Sequence, residues 1–124
     1  MTERRRMTTV LVGAGGVLGV LARWGITRAT LHGEALIWST VAINIAGSFC
    51  LGLLVAGQWF SRDVREGIGV GFLGGFTTFS TFSVQIVIEA DGGKPGRAAA
   101  YLLVSVIGGI AAAAAGYALG RRLA

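Results

Sequence analysis

The sequence is short of charged residues, of proline and of cysteine. Only 14% of its 124 residues are charged, whereas 53% are hydrophobic, and the mean hydropathy is +0.69. A soluble domain usually carries about a quarter charged residues, so a water-soluble monomer is not expected. The single cysteine, Cys50, excludes an intrachain disulfide. The 21 glycines are typical of membrane helices whose backbones approach closely.

Catalytic and metal-ligating groups are also scarce. Every Asp and Glu lies at the end of a long apolar segment, in a connection or at the N-terminus, and the only histidine, His32, is expected in an exposed loop. The chain has no set of nucleophile, base and orienting group, no cluster of side-chain metal ligands and no phosphate-binding glycine loop. An enzyme is therefore not expected. Proton-coupled transport is disfavoured as well, because it generally uses an intramembrane carboxylate or histidine.

Four long apolar segments dominate the chain, and each approaches or exceeds the roughly 20 residues that a helix needs to cross a bilayer. They cover residues 8–28, 35–60, 67–89 and 97–120. The first, after a basic N-terminus, mimics a signal peptide with a cleavage site at residues 20–22, but the three later segments favour an uncleaved helix. We predict one all-α domain over residues 1–124, with four transmembrane helices and short connections.

The basic residues behind the formal net charge of +5 lie at the chain ends, in the connections and towards the ends of the apolar segments. On the side of both termini lie seven basic residues, Arg4, Arg5, Arg6, Arg62, Arg65, Arg121 and Arg122. On the other side lie four, Arg23, Arg28, Lys94 and Arg97. The positive-inside rule favours cytoplasmic termini, but the bias is small and leaves insertion in both orientations open. Nucleic-acid binding is not expected, because it would need a contiguous basic patch.

Polar residues inside the second segment share one helical face. Thr40, Asn44 and Ser48 recur at every fourth position. Their amide and hydroxyls could line a polar pathway as hydrogen-bond donors. They could equally bond to neighbouring helices, since such contacts contribute roughly 1 kcal/mol each in membranes. Spacing alone leaves both interpretations open.

The third segment contains an unusual stretch, GGFTTFSTFS at residues 74–83. Two adjacent glycines followed by β-branched and hydroxylated residues make a poor continuous helix. A break within the membrane would be tolerated only where its backbone is buried in protein or lines a water-filled cavity. Such broken helices supply carbonyl oxygens to cations and amide donors to anions. The alternative is an intact helix whose aromatic rings simply fill the core.

At these residues the sequence resembles the Fluc (CrcB) fluoride channel family. Residues 15–19 (GGVLG) with Arg23 and Trp24 resemble the family's first-helix pattern. Residues 40–44 (TVAIN) and 47–49 (GSF) resemble its second helix, and residues 74–83 are similar to its third-helix signature. The third-helix match is the specific one, and the resemblance covers nearly the whole chain.

The resemblance implies an antiparallel, dual-topology homodimer in the inner (plasma) membrane, with two fluoride pores along the subunit interface and passive export of cytoplasmic fluoride. It implies a third helix that is broken in mid-membrane, where the backbone carbonyls of Gly74 and Thr77 hold a structural sodium ion. Arg23 would have a structural role. The residues implied at the pores are Asn44, Phe79, Phe82, Ser83, Thr81, Ser80 and Thr40. Fluoride is strongly hydrated, so donors and the positive edges of aromatic rings would replace its water.

Two positions depart from the family pattern. Many members carry glutamate where this chain has Gln85, and glycine is usual where it has Ser39. Tyr101 and Ser105 are further candidate pore hydroxyls. Some relatives divide the pore residues between two homologous chains, so a heterodimer stays open, as do conductance, gating and orientation ratio. The competing functions are a small dual-topology multidrug or cation exporter and a non-transporting membrane assembly subunit.

Overall fold

The described part of the chain is entirely helical outside its short connections. The computed structural model describes residues 2–30 and 33–124, so the predicted loop position of His32 lies outside the described residues. The helices are α1 (Glu3–Ala29), α2 (Glu34–Gly57), α3 (residues 62–76), α4 (Phe79–Asp91) and α5 (Pro95–Leu123). Within α3, an α-helical turn at Arg62–Glu66 leads into a π-helix at Gly67–Leu73 and a final α-helical turn at Gly74–Phe76.

Four helical segments are long and apolar enough to cross a membrane. They are Glu3–Ala29, Glu34–Gly57, Arg62–Asp91 and Pro95–Leu123, and the third of these combines α3 and α4. Three of them extend at both ends beyond the apolar segments of the sequence, because the helices continue into the flanking residues, several of which are charged or polar. The second instead stops at Gly57, where Gln58 adopts a left-handed conformation with φ 53° that ends the helix. The chain is thus a multi-pass membrane protein.

Glycines bring α1 and α3 into close backbone contact. A Cβ atom added at Gly19 would collide with the carbonyl of Phe72, and one at Gly15 with the carbonyl of Gly67. From the other side, a Cβ atom at Gly71 would come within 2.6 Å of the Val12 carbonyl oxygen. In lipid there is little hydrophobic drive between helices, so this close packing holds the pair together.

A second pair, α2 and α5, packs in the same way. A Cβ atom at Gly116 would collide with the carbonyl of Phe49, and one at Gly52 with the carbonyl of Ala113. A Cβ atom at Gly120 would lie 2.6 Å from the carbonyl oxygen of Leu53. Small residues recur every four positions along α5, at Gly108, Ala112, Gly116 and Gly120, and the glycines of this stripe pack within the chain, on α2.

Helix α4 follows α3 in the chain and packs on α5, so it joins the α1–α3 pair to the α2–α5 pair. Phe82 of α4 packs with Tyr101 of α5 and with Ile37 and Val41 of α2 in a small buried cluster. At the nearby helix ends, Arg97 ties three elements together, with its guanidinium 2.6 Å from Glu34 and 3.0 Å from Glu89. The position of α4 is thus fixed on one side, and its opposite side stays uncovered.

Candidate functional site

The third membrane segment is interrupted between α3 and α4. Helix α3 ends at Phe76, and Thr77 and Thr78 are extended, with φ and ψ of −85° and 158° and of −149° and 118°. Helix α4 then begins at Phe79. Of the two sequence interpretations, an intact helix and an interrupted one, the backbone here adopts the second. The interruption places the C-terminal end of one helix beside the N-terminal end of the next.

Asn44 of α2 binds the backbone of this interruption at two points. Its Nδ2 donates to the carbonyl oxygen of Thr78 at 2.9 Å, and its Oδ1 accepts from the Thr78 N–H at 2.8 Å. The extended residue thus gains from a side chain the two hydrogen bonds that a helix would have given it. We call this pair of bonds the Asn44 clasp. The half-buried amide is fixed in orientation by the clasp.

The beginning of α4 is capped by Thr78. Its Oγ1 accepts from the backbone N–H of Thr81 at 3.2 Å, the usual bond of an N-terminal threonine cap. The hydroxyls of Thr81 and Ser80 lie 3.2 and 3.3 Å from the same oxygen. The capped N-terminus carries the positive end of the helix dipole, which favours an anion nearby.

The carbonyl oxygens at the end of α3 differ in their hydrogen bonding. The Leu73 carbonyl accepts from the N–H and the hydroxyl of Thr77, at 3.0 and 2.9 Å. The Gly75 carbonyl accepts from Nε of Arg23 at 3.1 Å, so Arg23 joins α1 to the interruption. Among the described residues, no hydrogen bond reaches the carbonyls of Gly74, Phe76 and Thr77. Carbonyl oxygens of this kind are ligands for hard cations.

A groove of about 390 Å³ opens beside the interruption, between α2, α3, α4 and α5. Seven residues that the sequence singled out line it: Asn44, Ser48, Gly74, Thr77, Phe79, Phe82 and Ser105. The groove is otherwise apolar, with a few polar groups at the interruption, which is the usual composition of a ligand site.

The two phenylalanines that the sequence paired have different surroundings. Phe79 is 78% exposed, whereas Phe82 is 6% exposed. Their ring centroids are 5.8 Å apart, and Phe82 meets Tyr101 edge to face at 5.2 Å. Phe82 is therefore held by packing within the chain. The Phe79 ring is free to contact a lipid, a second chain or an ion.

One turn further along α4, Gln85 is buried against α5. The hydroxyl of Tyr101 donates to its Oε1 at 2.6 Å, while its Nε2 is buried without a partner among the described residues. The hydroxyl of Ser105 is likewise buried and unpartnered. Unsatisfied buried donors are uncommon, so these two polar groups are candidates to bind something that the isolated chain does not contain.

The remaining predicted site residues bond within their own helices and do not line the groove. Thr40 is buried, and its hydroxyl donates to the carbonyl of Leu36 at 3.0 Å. The hydroxyl of Ser83 donates to the carbonyl of Phe79 at 2.9 Å. In this chain alone these hydroxyls are engaged with backbone oxygens, and their predicted contact with an ion stays a prediction.

Comparison with known proteins places this arrangement in a family. A family model described as CrcB-like protein, Camphor Resistance (CrcB), matches residues 10–117. The chain belongs to the CrcB family. It is 42% identical to a protein of Agrobacterium fabrum named fluoride-specific ion channel FluC, over 91% of this chain and 95% of that one. A protein of Syntrophotalea carbinolica with the same name is 40% identical, over 94% of this chain and all of the relative.

One residue at the interruption of this CrcB protein, Thr78, was missed as an individual site by sequence reasoning. It caps α4 through its side chain and binds Asn44 through its backbone. A threonine directly before a helix is the usual sign of an N-terminal cap, so the cap could have been found from the sequence once a break was assumed. The bond to Asn44 could not, because the two residues are 34 positions apart.

Proposed function

We propose that this chain is a fluoride-selective passive ion channel of the inner membrane that exports cytoplasmic fluoride. The observation that carries the proposal is the interruption at residues 77–78, where a capped helix N-terminus and the exposed Phe79 ring adjoin the groove. Relatives that cover nearly the whole chain are named fluoride-specific ion channels. We propose that the interruption lies in mid-membrane.

The groove supplies weak anion-binding groups without a fixed positive charge. The edge of an aromatic ring carries a partial positive charge, so Phe79 and Phe82 can attract fluoride edge-on. Asn44 of α2 and Ser105 of α5, which line the groove, offer an amide and a hydroxyl group. A channel needs sites that replace the hydration of the ion and yet release it. A series of neutral donors meets both requirements better than a buried arginine would.

We propose further that two copies pair in antiparallel orientation and form two pores at their interface. The exposed side of α4 and the open groove provide a face that the chain itself leaves uncovered. In a bilayer such polar backbone would be costly unless protein or water covered it. A copy of the same chain or a homologous chain would supply that cover, with Phe79 of each copy entering the interface.

The free carbonyls at the end of α3 fit a structural sodium ion. The carbonyls of Gly74 and Thr77 are without hydrogen bonds among the described residues, whereas those of Leu73, Gly75 and Thr78 are engaged. Hard cations prefer such oxygen ligands, and one chain offers only part of a coordination shell, so a second copy would complete it. Bound sodium would offset the carbonyl dipoles and add positive potential near the pores.

The test is fluoride efflux from proteoliposomes that contain the purified chain, measured with a fluoride electrode and compared with chloride efflux. Passive fluoride efflux with chloride retained supports the channel. Proton-dependent cation uptake would instead identify an exporter, and no transport of either kind would favour an assembly subunit. Phe79→Ile and Asn44→Ala variants should lose most of the flux. The Val17→Ala variant serves as a matched control and should keep it, because Val17 is exposed on α1, away from the groove and from α4.

A further inference from the structure

A second pocket adjoins the central groove on the side of the chain termini. It has a volume of about 540 Å³ and lies between the last turns of α2 and the beginning of α3. Leu51 and Gly69 line both this pocket and the central groove, so the two are neighbours. Its walls are otherwise mainly apolar, with Leu54, Val55 and Val70. Arg62, Arg65 and Glu66 stand at its rim.

Pairing of the charges at this rim leaves one guanidinium without a carboxylate. Arg62 pairs with Glu66 at 2.9 Å, and Asp63 pairs with Arg4 at 3.7 Å. Within residues 2–30 and 33–124, Arg65 has no carboxylate within 4.0 Å. The half-buried Arg65 instead donates from Nη2 to the carbonyl oxygen of Val55 at 3.3 Å. A backbone acceptor positions this cation without neutralising it.

We infer that Arg65 is an electrostatic entrance residue, which concentrates fluoride in the outer pocket before the ion enters the groove. This inference rests on the proposed function. An uncompensated charge in a cleft with low-dielectric walls focuses the field and raises the local concentration of the opposite ion. Because the groove itself carries only neutral donors, the anion is attracted from bulk water by the charge of Arg65 at the rim. Arg65 thus influences the rate of entry and leaves selectivity to the groove.

Charge screening distinguishes this role from a structural one. The Debye length falls from about 30 Å at 0.01 M salt to about 3 Å at 1 M. A unit charge roughly 7 Å from the ion in water changes its local concentration by about threefold when unscreened. Removal of the Arg65 charge should therefore lower fluoride conductance at low ionic strength and change it little at high ionic strength.

The experiment compares fluoride conductance of the full-length chain in phosphatidylcholine bilayers, which carry no net surface charge, at about 0.01 M and 1 M ionic strength. Fluoride is kept below saturation, and an impermeant salt sets the ionic strength. We expect Arg65→Gln to conduct about threefold less than wild type at low ionic strength, and Arg65→Glu about tenfold less. Both should approach wild type at high ionic strength. Arg65→Lys, which keeps the charge, should resemble wild type at both.

The matched control is Arg122→Gln, which removes a charge of the same sign from the same end of the molecule but outside the pocket. It should leave the conductance unchanged at both ionic strengths. A loss in Arg65→Gln that is equal at both ionic strengths, or no loss at all, would overturn the inference and leave the channel proposal standing. A wild-type chain without fluoride conductance would overturn both.

Discussion

The Asn44 clasp gives a stability prediction that is independent of transport. Asn44→Ala removes both hydrogen bonds to Thr78 and leaves one backbone donor and one acceptor without partners. A hydrogen bond between membrane helices contributes about 0.6–2 kcal/mol, and an unsatisfied buried group costs about 1–3 kcal/mol. Thr78 is only half-buried, so water can replace part of the loss. We expect a decrease of about 2 kcal/mol in the free energy of unfolding.

A matched control lies one turn away on the same helix face. The Ser48 hydroxyl donates to the carbonyl of Asn44, 2.7 Å away within α2, and it also lines the groove. Ser48→Ala therefore removes a hydroxyl from the same environment without freeing any group of the interruption. Its effect on unfolding should be below about 0.5 kcal/mol.

The measurement is reversible unfolding in mixed micelles with increasing dodecyl sulfate, followed by tryptophan fluorescence. Equal unfolding midpoints for Asn44→Ala and Ser48→Ala would refute the reasoning, because the clasp would then add nothing to the stability of the fold. If Asn44→Ala is destabilised as expected, its loss of fluoride flux must be corrected for the folded fraction. Any flux deficit that remains reports the contribution of the amide to the ion pathway.

Three further predictions follow from burial, close packing and the free carbonyls. Phe82→Ala should destabilise the chain by about 3–5 kcal/mol in the same unfolding assay, because Phe82 is buried. Phe79→Ala, at an exposed ring, should change stability by less than about 0.5 kcal/mol while abolishing fluoride flux. Equal losses of stability in the two variants would contradict this burial argument. Gly19→Ala should prevent folding, because its Cβ atom meets the Phe72 carbonyl, whereas Gly13→Ala, with open space around it, should fold normally by gel filtration. Replacement of all sodium by N-methylglucamine should strongly lower fluoride flux in proteoliposomes, and an unaltered flux would contradict the sodium proposal.

The four membrane helices could be predicted from the sequence because lipid leaves the backbone few choices. A segment of some 20 apolar residues must form a helix to satisfy its own polar groups. The prediction of helical membrane segments is confirmed, but the helix ends differ. Helix α2 ends at Gly57, three residues before the end of the apolar run at Phe60, since Gln58 turns left-handed. End effects of this kind depend on single residues and not on average hydropathy.

The interruption was one of two open interpretations, and local sequence could not choose between them. Glycine lowers the helix preference at Gly74 and Gly75, yet both residues are helical here. The chain leaves the helix only at Thr77 and Thr78, where Asn44 supplies the missing hydrogen bonds. The break is therefore stabilised by a residue of another helix, which no pattern within the third segment contains.

The different surroundings of Phe79 and Phe82 also lay beyond the sequence. Positions three apart share one helical face, so the spacing alone does not distinguish the two rings. The two rings differ in burial because of how α4 is rotated on α5: Phe82 meets Tyr101, and Phe79 lies at the edge of the contact. The sequence could name the aromatic pair but not which ring the chain would bury.

The exposure of Phe79 and the free carbonyls beside it bear on the proposed pairing of two copies. Lipid could cover the ring at no cost, but it has no donor or cation for the carbonyls of Gly74 and Thr77. At the proposed mid-membrane position, each unsatisfied carbonyl would cost a lone copy several kcal/mol. A partner that brings only apolar side chains would leave that cost in place. The pairing that removes it must bring either donors or a shared cation to the interruption, and the proposed antiparallel second copy, with sodium between the two ends, would do so.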